Sequence, residues 1–291
     1  MEIVRTPSAM RAWSRTRRQG GARIGFVPTM GYLHAGHQSL MRFGRERCEA
    51  LVASIFVNPA QFGPAEDLAR YPRDLERDMT LLEAVKVDCL YLPDAADIYP
   101  PGYRTWVDVE GLGDNLCGAF RPGHFRGVCT VVAKLLNTVE PDEAWFGEKD
   151  AQQLRVIRRM ARDLDLPTKI TGCPTVRESD GLAMSSRNVY LSADERSQAP
   201  ALHHALLLAR DRMAQGDSDA VSVLGAMRAL IAEEAPAASI EYAQAVDDDT
   251  LVDVTRLEGR VLLALAVRFG STRLIDNITL EAAPRAEEAS A

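Results

Sequence analysis

The sequence contains little cysteine and no long apolar segment, and both absences exclude classes of protein. The cysteines are dispersed, odd in number and never arranged as Cys-x-x-Cys; they are Cys48, Cys89, Cys117, Cys129 and Cys173. Such a set supports neither a disulfide framework nor a zinc ribbon, so reduced thiols in a cytoplasm are the simplest interpretation. Because no apolar run approaches the roughly 20 residues that a membrane-spanning helix needs, we expect no membrane partner.

The sequence also contains fewer basic than acidic residues. The 291 residues carry 34 Lys and Arg against 41 Asp and Glu, which gives a net charge of −7 and a pI near 5.4. A nucleic acid is therefore not expected as the main partner, since its phosphate backbone requires a basic face. With 46% hydrophobic and 26% charged residues, the composition is that of a soluble globular protein, long enough for one or two domains.

The stretch Phe26–His37 predicts a strand, a glycine-bearing turn and the start of a helix. An apolar run, Ile24–Val27, leads into a turn at Pro28–Gly31, and a helical pattern then continues to about Ala50. This order is expected to leave backbone N–H groups and the positive end of a helix dipole open to a phosphate chain.

Two imidazoles, His34 and His37, lie at that predicted helix start. Taken alone, such a pair is more often a set of surface or capping residues than a catalytic one. A metal site is the weaker interpretation, because no third ligand with suitable spacing lies nearby.

Polar residues also follow the next predicted strand, Leu51–Val57. Its continuous apolar run is typical of a strand buried on both faces of a parallel sheet. Asn58 and Gln61 come directly after it, at the edge where open α/β sheets bind ligands. Turn chemistry explains Asn58 equally well, whereas Gln61 has less reason to be a turn residue.

A second glycine-bearing turn follows a strand that ends at Ala144–Phe146. Gly147–Asp150 forms this turn, and a helix is predicted over Ala151–Asp163. Lys149 can reach a phosphate as a point charge, and Gln153, one turn into the helix, can point back to the same cleft.

A polar loop, Arg177–Asn188, follows a predicted strand at Thr168–Val176. Ser185, Ser186 and Arg187 place hydroxyl donors beside a cation, a combination that suits triphosphate oxygens. Ser-Ser-Arg is common in loops, so the motif is weak evidence when it stands alone.

Apolar periodicity and turn signals predict the remaining elements. They are an N-terminal helix that begins at Thr6-Pro7, a helix over Asp67–Lys86 with Tyr71 near its start, strands at Val87–Leu92 and Thr105–Val109, a loop over Leu116–Gly127, helices over Val128–Val139, Ala193–Ala214 and Ser218–Glu234, and strands at Ser239–Val246 and Arg260–Phe269. We therefore predict an α/β domain over residues 1–176 and a smaller α+β domain over 177–291, with a disordered tail at 282–291.

Taken together, these segments resemble the pantothenate synthetase (pantoate–β-alanine ligase) family over nearly the full chain. The matching segments are Val27–His37, Phe56–Phe62, Tyr71–Arg73, Arg121–Val128, Phe146–Leu154 and Met184–Asn188, with a looser match at Gly270–Asn277. One such motif would be weak evidence, but six in the same order and spacing are highly specific.

The resemblance implies a two-step ligation. Pantoate would attack the α-phosphate of ATP to give pantoyl adenylate and pyrophosphate, and β-alanine would then displace AMP to give pantothenate. It also implies a Rossmann-like nucleotidyltransferase fold similar to that of class I aminoacyl-tRNA synthetases, a C-terminal lid domain, Mg²⁺ bound through the ATP phosphates and a cytoplasmic homodimer.

The resemblance further implies roles for particular residues. The implied catalytic residues are His37, His34, Lys149 and Arg187, with His37 as the proton donor. The implied ATP site comprises Met30, Gly31, Tyr32, Leu33, His34, Ala35, Gly36, His37, Gly147, Glu148, Lys149, Asp150, Val176, Met184, Ser185, Ser186 and Arg187. Gln61 and Gln153 would bind pantoate, Gln61 would also contact β-alanine, and the further candidates are Pro28, Thr29, Asn58, Tyr71 and Arg121.

Two other functions remain open at this stage. A nucleotidylyltransferase that joins AMP or CMP to a phosphorylated acceptor shares the His-x-Gly-His pattern. Such an enzyme needs a basic subsite for the acceptor phosphate, whereas the Gln61 and Gln153 pair favours a neutral hydroxy-acid. A non-catalytic nucleotide sensor on the same fold would tolerate the loss of His37 or Lys149, and this chain keeps both.

Overall fold

The computed structural model describes residues 1–64 and 66–282. Its strands are β1 (Glu2–Val4), β2 (Ile24–Thr29), β3 (Ala50–Ile55), β4 (Cys89–Tyr91), β5 (Glu143–Gly147), β6 (Lys169–Cys173), β7 (Ala238–Asp247), β8 (Arg260–Phe269) and β9 (Thr272–Glu281). Its α-helices are α1 (Pro7–Gln19), α2 (Ala35–Arg45), α3 (Leu75–Ala84), α4 (Ala95–Ile98), α5 (Cys117–Phe120), α6 (His124–Val139), α7 (Ala151–Asp163), α8 (Ala193–Gln198), α9 (Ala201–Ala214) and α10 (Ala220–Glu234). The predicted disordered tail lies, apart from Ala282, outside the described residues.

The chain divides into two compact units. The first contains Met1–Gly113 and Gly118–Val176, and the second contains Asp114–Cys117 and the chain from Arg177 onward. Within the described residues, no helix is both long enough and apolar enough to span a membrane.

The first unit is built on a six-stranded sheet in the order β1-β4-β3-β2-β5-β6, in which all neighbouring strands are parallel. The chain proceeds from β2 to β3 and β4 on one side and from β5 to β6 on the other. The carboxyl ends of β2 and β5 therefore flank a reversal of strand order, which is where open α/β sheets bind ligands. This architecture confirms the predicted α/β parallel-sheet class.

A buried tryptophan fixes the position of α2 on this sheet. Trp145 of β5 is fully buried, and its ring lies where a Cβ atom on either Gly25 of β2 or Gly44 of α2 would come within 2.5 and 2.7 Å of it. Both positions therefore require glycine, because a larger residue would push α2 away from β5. The start of α2 is consequently held over the central strands.

The second unit packs α9 and α10 on a three-stranded antiparallel sheet in the order β7-β8-β9. Val261, Leu263 and Leu265 of β8 lie in one buried cluster with Leu202 of α9 and Met227 of α10. Burial of this apolar face is the main source of stability for a small α+β unit.

Several predicted boundaries in the first unit are wrong. Thr105–Val109 is not a strand, because the Val107 N–H bonds to the Thr130 side chain at 3.0 Å instead of a neighbouring strand. The helix predicted over Asp67–Lys86 begins only at Leu75, since Pro72 disfavours helical geometry in the residue before it and Asp74 caps the helix.

Other boundaries differ for equally local reasons. The helix predicted over Ala193–Ala214 is interrupted at Pro200, which lacks the N–H that a continuous helix requires. The loop predicted over Leu116–Gly127 contains the short helix α5, and α6 already begins at His124. Strands β1 and β9 were not predicted.

Candidate active site

The structure brings three groups of predicted site residues to one edge of the parallel sheet. His34 and His37 follow β2, Gln61 and its neighbour Asn58 follow β3, and Lys149 follows β5. Since β3, β2 and β5 are adjacent and parallel, these side chains leave the sheet at the same end. The arrangement combines imidazole, amide and ammonium groups around the point where strand order reverses.

The two histidines cap α2 reciprocally. His34 is the N-cap residue, and its Nδ1 accepts the Gly36 N–H at 3.2 Å. The His34 N–H in turn donates to Nδ1 of His37 at 3.3 Å, and the ring centroids are 4.1 Å apart. The imidazoles thus serve the capping function that hydroxyl and carboxylate groups usually provide.

This capping determines which ring nitrogens carry protons. A backbone N–H can only donate, so Nδ1 accepts in both rings and a neutral ring must carry its proton on Nε2. Burial, the neighbouring His34 and the Lys149 ammonium hold the pKa of His37 well below 6.5. His37 is therefore a neutral imidazole that can donate from Nε2.

The backbone N–H groups before α2 are not open to a ligand, contrary to the prediction from the sequence. The carboxylate of Asp78 accepts the N–H groups of Tyr32 and Leu33, each at 2.7 Å. The N–H groups of His34 and Gly36 bond to the imidazoles. These four N–H groups are already bonded within the protein, and the Nε2–H of His37 is a side-chain donor at the same place.

The residues that lead into the helix form a tightly held turn. Pro28 and Thr29 end β2, and the Thr29 hydroxyl donates to the Ser54 carbonyl at 2.7 Å while it accepts the Gly31 N–H at 3.1 Å. Gly31 has φ of 81°, a value that favours glycine. The remaining predicted ATP-site residues here, Met30, Leu33 and Ala35, lie in the turn or at the first position of α2.

Asn58 fixes the side-chain orientation of Gln61. The Asn58 Oδ1 accepts the Ala60 N–H at 3.3 Å and the Tyr99 hydroxyl at 2.8 Å, so its Nδ2 faces the carbonyl of Gly127 at 3.1 Å and Oε1 of Gln61 at 3.0 Å. The Gln61 Nε2, at the other end of the amide, donates to Sδ of Met30 at 3.3 Å. Gln61 therefore presents a hydrogen-bond donor.

The backbone of Gln61 is held by a second set of contacts. Nδ1 of His124 donates to the Gln61 carbonyl at 2.9 Å, which leaves Nε2 of the ring facing the Arg121 guanidinium at 3.1 Å. Arg121 also donates to the Gln61 carbonyl at 3.3 Å and is ion-paired with Glu66. Burial and the Arg121 charge lower the pKa of His124 to about 4, so its ring is neutral.

The turn after β5 carries Gly147–Asp150. The Lys149 ammonium is 3.9 Å from the Asp150 carboxylate, and Glu148 lies 3.6 Å from Arg155. Gln153 lies in the first turn of α7 and is partly buried. The structure therefore places Lys149 close enough to His37 to influence its pKa and places Gln153 on the helix that follows.

The first unit contains two further predicted residues, Tyr71 and Val176. Tyr71 is buried and contacts the Phe62 ring edge-on at a centroid distance of 5.9 Å, in the segment before α3 rather than within a helix. Val176 follows β6 at the end of this unit.

The polar loop with Met184, Ser185, Ser186 and Arg187 belongs to the second unit. A β-bridge joins Arg177 to Ala183 at the base of this loop, and the Ser185 hydroxyl accepts the Arg187 N–H at 3.2 Å.

The base of the loop is anchored by an ion pair. The Arg177 guanidinium donates to both carboxylate oxygens of buried Asp276 at 2.6 and 2.9 Å and to the Gly181 carbonyl at 3.0 Å. This geometry connects the loosely matched Gly270–Asn277 segment to the loop.

Sequence reasoning assigned no role to Asp78, His124 or Tyr99. His124 stands within a matching segment, yet its contact with the Gln61 carbonyl spans 63 residues. Asp78 contacts residues 45 and 46 positions earlier. A single sequence contains no local signal for contacts at such separations. Within residues 1–64 and 66–282, no group of three or more His, Cys, Asp or Glu side chains could hold a metal ion.

Comparison with known proteins decides the family. The sequence profile of the family described as pantoate–β-alanine ligase matches residues 2–279. The chain belongs to the pantoate–β-alanine ligase family. Pantothenate synthetase of Syntrophotalea carbinolica is 58% identical over 95% of this chain and 98% of its own length. Its counterpart from Heliobacterium modesticaldum is 55% identical over 97% and 100%.

Solved structures of pantoate–β-alanine ligases share the fold. Pantothenate synthetase from Thermus thermophilus superimposes with a TM-score of 0.90 at 47% identity and covers 98% of this chain and 100% of that one. The ligase from Francisella tularensis, solved with β,γ-ATP and β-alanine, has a TM-score of 0.77 at 32% identity and covers 96% and 97%.

Proposed function

We propose that the chain condenses (R)-pantoate with β-alanine to form pantothenate through a pantoyl-adenylate intermediate, with ATP as the energy source. The observation that carries this proposal is the convergence of two capping imidazoles, an oriented glutamine amide and a lysine at the adjacent carboxyl ends of β2, β3 and β5. Membership of the family, over nearly the full chain, supports the same reaction.

In the first step, a carboxylate oxygen of pantoate attacks the α-phosphorus of ATP. A new bond forms between this oxygen and the α-phosphorus. The bond between the α-phosphorus and the oxygen that bridges to the β-phosphate breaks, and pyrophosphate leaves with that oxygen. Negative charge grows on the leaving group, so donors already in place stabilise the transition state more than a nucleophilic side chain would. We assign these donors to Nε2–H of His34 and His37 and to the Lys149 ammonium.

The position of the ring proton determines what His37 can do in this step. As a neutral Nε2–H imidazole with a lowered pKa, it donates a hydrogen bond to a phosphate oxygen and does not need to carry a positive charge. Pyrophosphate can leave without a full proton transfer, because the Lys149 ammonium offsets part of its charge. His37 is thus a hydrogen-bond donor in this proposal.

Pantoate is bound by two glutamines. The Nε2 donor of Gln61 suits a carboxylate or hydroxyl oxygen of pantoate, and we assign a second contact with pantoate to Gln153 in the first turn of α7. Arg121 contributes through the Gln61 carbonyl, which it and His124 hold in place.

In the second step, the amine of β-alanine attacks the acyl carbon of pantoyl adenylate. The C–N bond forms, the acyl–phosphate C–O bond breaks, AMP leaves and the attacking nitrogen loses a proton. β-Alanine is placed beside Gln61, with Tyr71 as a further contact.

The proposed ATP site extends beyond these donors. Residues 30–37, 147–150 and 184–187 would line the ATP site, and Val176 would contact adenine through its backbone. Met184–Arg187 belong to the second unit, for which we propose the role of a lid. Mg²⁺ would be held mainly by ATP phosphate oxygens and would neutralise part of their charge. We also propose a cytoplasmic homodimer.

Pyrophosphate release tests the proposal directly. With ATP, Mg²⁺ and pantoate, we expect one equivalent of pyrophosphate per active site. Addition of β-alanine should then give continuous release of pyrophosphate and AMP together with pantothenate. Absence of pantoate-dependent release from protein that binds ATP would contradict the ligase reaction and direct the search to phosphorylated acceptors.

A further inference from the structure

The turn that leads into α2 contains a residue, Tyr32, whose backbone conformation its side chain does not favour. Gly31 and Tyr32 have φ values of 81° and 47°, so two consecutive residues lie in the left-handed region. Glycine adopts this region readily, but an ordinary side chain such as that of Tyr32 does so at a cost. Contacts from elsewhere in the fold must therefore hold the turn.

Asp78 of α3 supplies those contacts. Asp78 is 1% exposed, and its two carboxylate oxygens accept the N–H groups of consecutive residues, Oδ2 from Tyr32 and Oδ1 from Leu33, each at 2.7 Å. A Cβ atom on Gly31 would lie 3.1 Å from Oδ2, so the carboxylate packs closely under the turn. A buried carboxylate is retained where such charge-assisted bonds compensate its desolvation.

The turn ends where the capping histidines begin. Leu33, whose N–H is held by Asp78, is followed directly by His34, the N-cap of α2, and His34 is bonded to His37. The carboxylate and the two imidazoles therefore hold the N–H groups of four closely spaced residues, 32, 33, 34 and 36. A shift of the turn would change the direction in which both rings present Nε2.

We propose that Asp78 is a positioning residue for the phosphate site, which fixes the turn at Gly31–Leu33 and thereby aims the Nε2 donors of His34 and His37. This inference rests on the proposed function only in assigning those donors to ATP. Asp78 itself is directed at the backbone and does not act as a ligand for phosphate, since its negative charge would repel one.

The substitution Asp78→Asn tests this role with almost no change of shape. An asparagine retains one acceptor but turns an NH₂ group toward a backbone N–H, so one bond is lost and a donor faces a donor. Asp74→Asn is the matched control. It removes the same charge from the same helix, and asparagine caps a helix as well as aspartate does.

Amide hydrogen exchange gives a readout that does not depend on catalysis. In the wild-type protein and in Asp74→Asn, the N–H groups of Tyr32 and Leu33 should be strongly protected. In Asp78→Asn they should exchange about tenfold faster or more, as expected for the loss of a bond to a charged acceptor. Rapid exchange in the wild-type protein would overturn the proposal whether or not any variant folds.

ATP binding provides the second readout. By calorimetry without pantoate, Asp78→Asn should bind ATP about tenfold more weakly or worse, whereas the KM for β-alanine should not change. An unchanged ATP affinity in Asp78→Asn, together with faster amide exchange, would show that Asp78 is merely structural and would overturn the positioning role.

Gly31→Ala perturbs the contact between the turn and Asp78 from the side of the turn. It replaces Asp78→Asn as the test if that variant does not fold. Its Cβ would lie 3.0 Å from Ile55 and 3.1 Å from Oδ2 of Asp78, so we expect the same loss of ATP affinity. Full ATP affinity in Gly31→Ala would contradict the proposal. Failure of the ligase reaction is distinguishable, because it would appear as missing pantoate-dependent pyrophosphate release in the wild-type protein while these two readouts remain measurable.

Discussion

The Asn58 side-chain nitrogen donates to the Gln61 side-chain oxygen across 3.0 Å, and this single bond decides which end of the Gln61 amide faces outward. The orientation of the Asn58 amide follows from the bond at its oxygen. The Ala60 N–H can only donate, so the atom that it contacts must be the acceptor Oδ1. The free end of the Gln61 amide is therefore its NH₂ donor, which bonds to Sδ of Met30, whereas the reversed amide would present an acceptor.

Substitution Asn58→Asp should reverse the Gln61 amide. A carboxylate facing both Oε1 of Gln61 and the Gly127 carbonyl is repelled by both, so Gln61 should turn its oxygen outward. We expect kcat/KM for pantoate to fall about 100-fold, as for the loss of a well-placed donor, while the affinity for ATP is retained. Tyr99→Phe is the control: it removes one bond to Oδ1 but keeps the donor to Gln61. Equal losses in both variants would contradict this explanation.

Two substitutions at His37 should separate its capping role from its phosphate role. Asparagine can replace Nδ1 as the acceptor for the His34 N–H but has nothing in place of Nε2, whereas glutamine can place an amide N–H near Nε2. We expect His37→Asn to remain folded and to lose about 100-fold or more in single-turnover pyrophosphate formation. His37→Gln should retain more of this rate. The reverse ranking would remove Nε2–H from the adenylation step.

The buried imidazole of His124 should make stability depend on pH. Its pKa is about 4 in the folded protein against 6.5 when unfolded, so between these values the unfolded state binds the proton and the folded state does not. Stability is therefore complete above pH 6.5 and declines as the pH falls toward 4, by about 3 kcal/mol in total. Urea denaturation at pH 7.5 and 4.5 would measure it.

His124→Gln provides the matched control for that profile. Glutamine can donate to the Gln61 carbonyl and accept from Arg121 without titrating. The difference in unfolding free energy between wild-type protein and His124→Gln should thus shrink on acidification. A constant difference would show that His124 is not the titrating group.

Two helical glycines should respond in opposite directions to alanine. A Cβ on Gly127 of α6 would lie 2.3 Å from the Ala60 carbonyl oxygen, so Gly127→Ala must displace the segment that carries Gln61. We expect a loss of about 1–3 kcal/mol in unfolding free energy, as for overpacking, and a higher KM for pantoate. Gly225 of α10 has open space instead, and Gly225→Ala should stabilise the protein by up to about 1 kcal/mol. A neutral Gly127→Ala would contradict the close contact.

The Arg177–Asp276 pair should stabilise the loop that carries Met184–Arg187. Asp276→Ala leaves a largely buried guanidinium without its carboxylate, so we expect a loss of about 3 kcal/mol in unfolding free energy and weaker ATP binding. Asp180 lies in the same loop and forms an exposed ion pair with Arg196. Asp180→Ala should therefore lower the unfolding free energy by less than about 1 kcal/mol. Similar losses in the two variants, measured by urea denaturation, would contradict the special role of Asp276.

The fold class could be predicted from local patterns in the sequence, and so could the edge of the sheet at which the candidate site residues lie. Apolar runs such as Leu51–Val57 predicted buried parallel strands, and the turns after them marked the edge where His37, Gln61 and Lys149 come together. These signals are local: periodicity, glycine, proline and capping residues act over a few positions, so they can be read from the chain alone.

How those residues are held, and what they can donate, depends on contacts between distant segments. Asp78 bonds to Tyr32 across 46 positions, a contact that contradicts the prediction of open backbone N–H groups. His124 bonds to Gln61 across 63 positions, while burial and the Arg121 charge keep its ring neutral. Hydrogen-bond direction and desolvation depend on which groups meet in space. The residue types were visible in the sequence, whereas their protonation, orientation and partners followed from packing between distant segments.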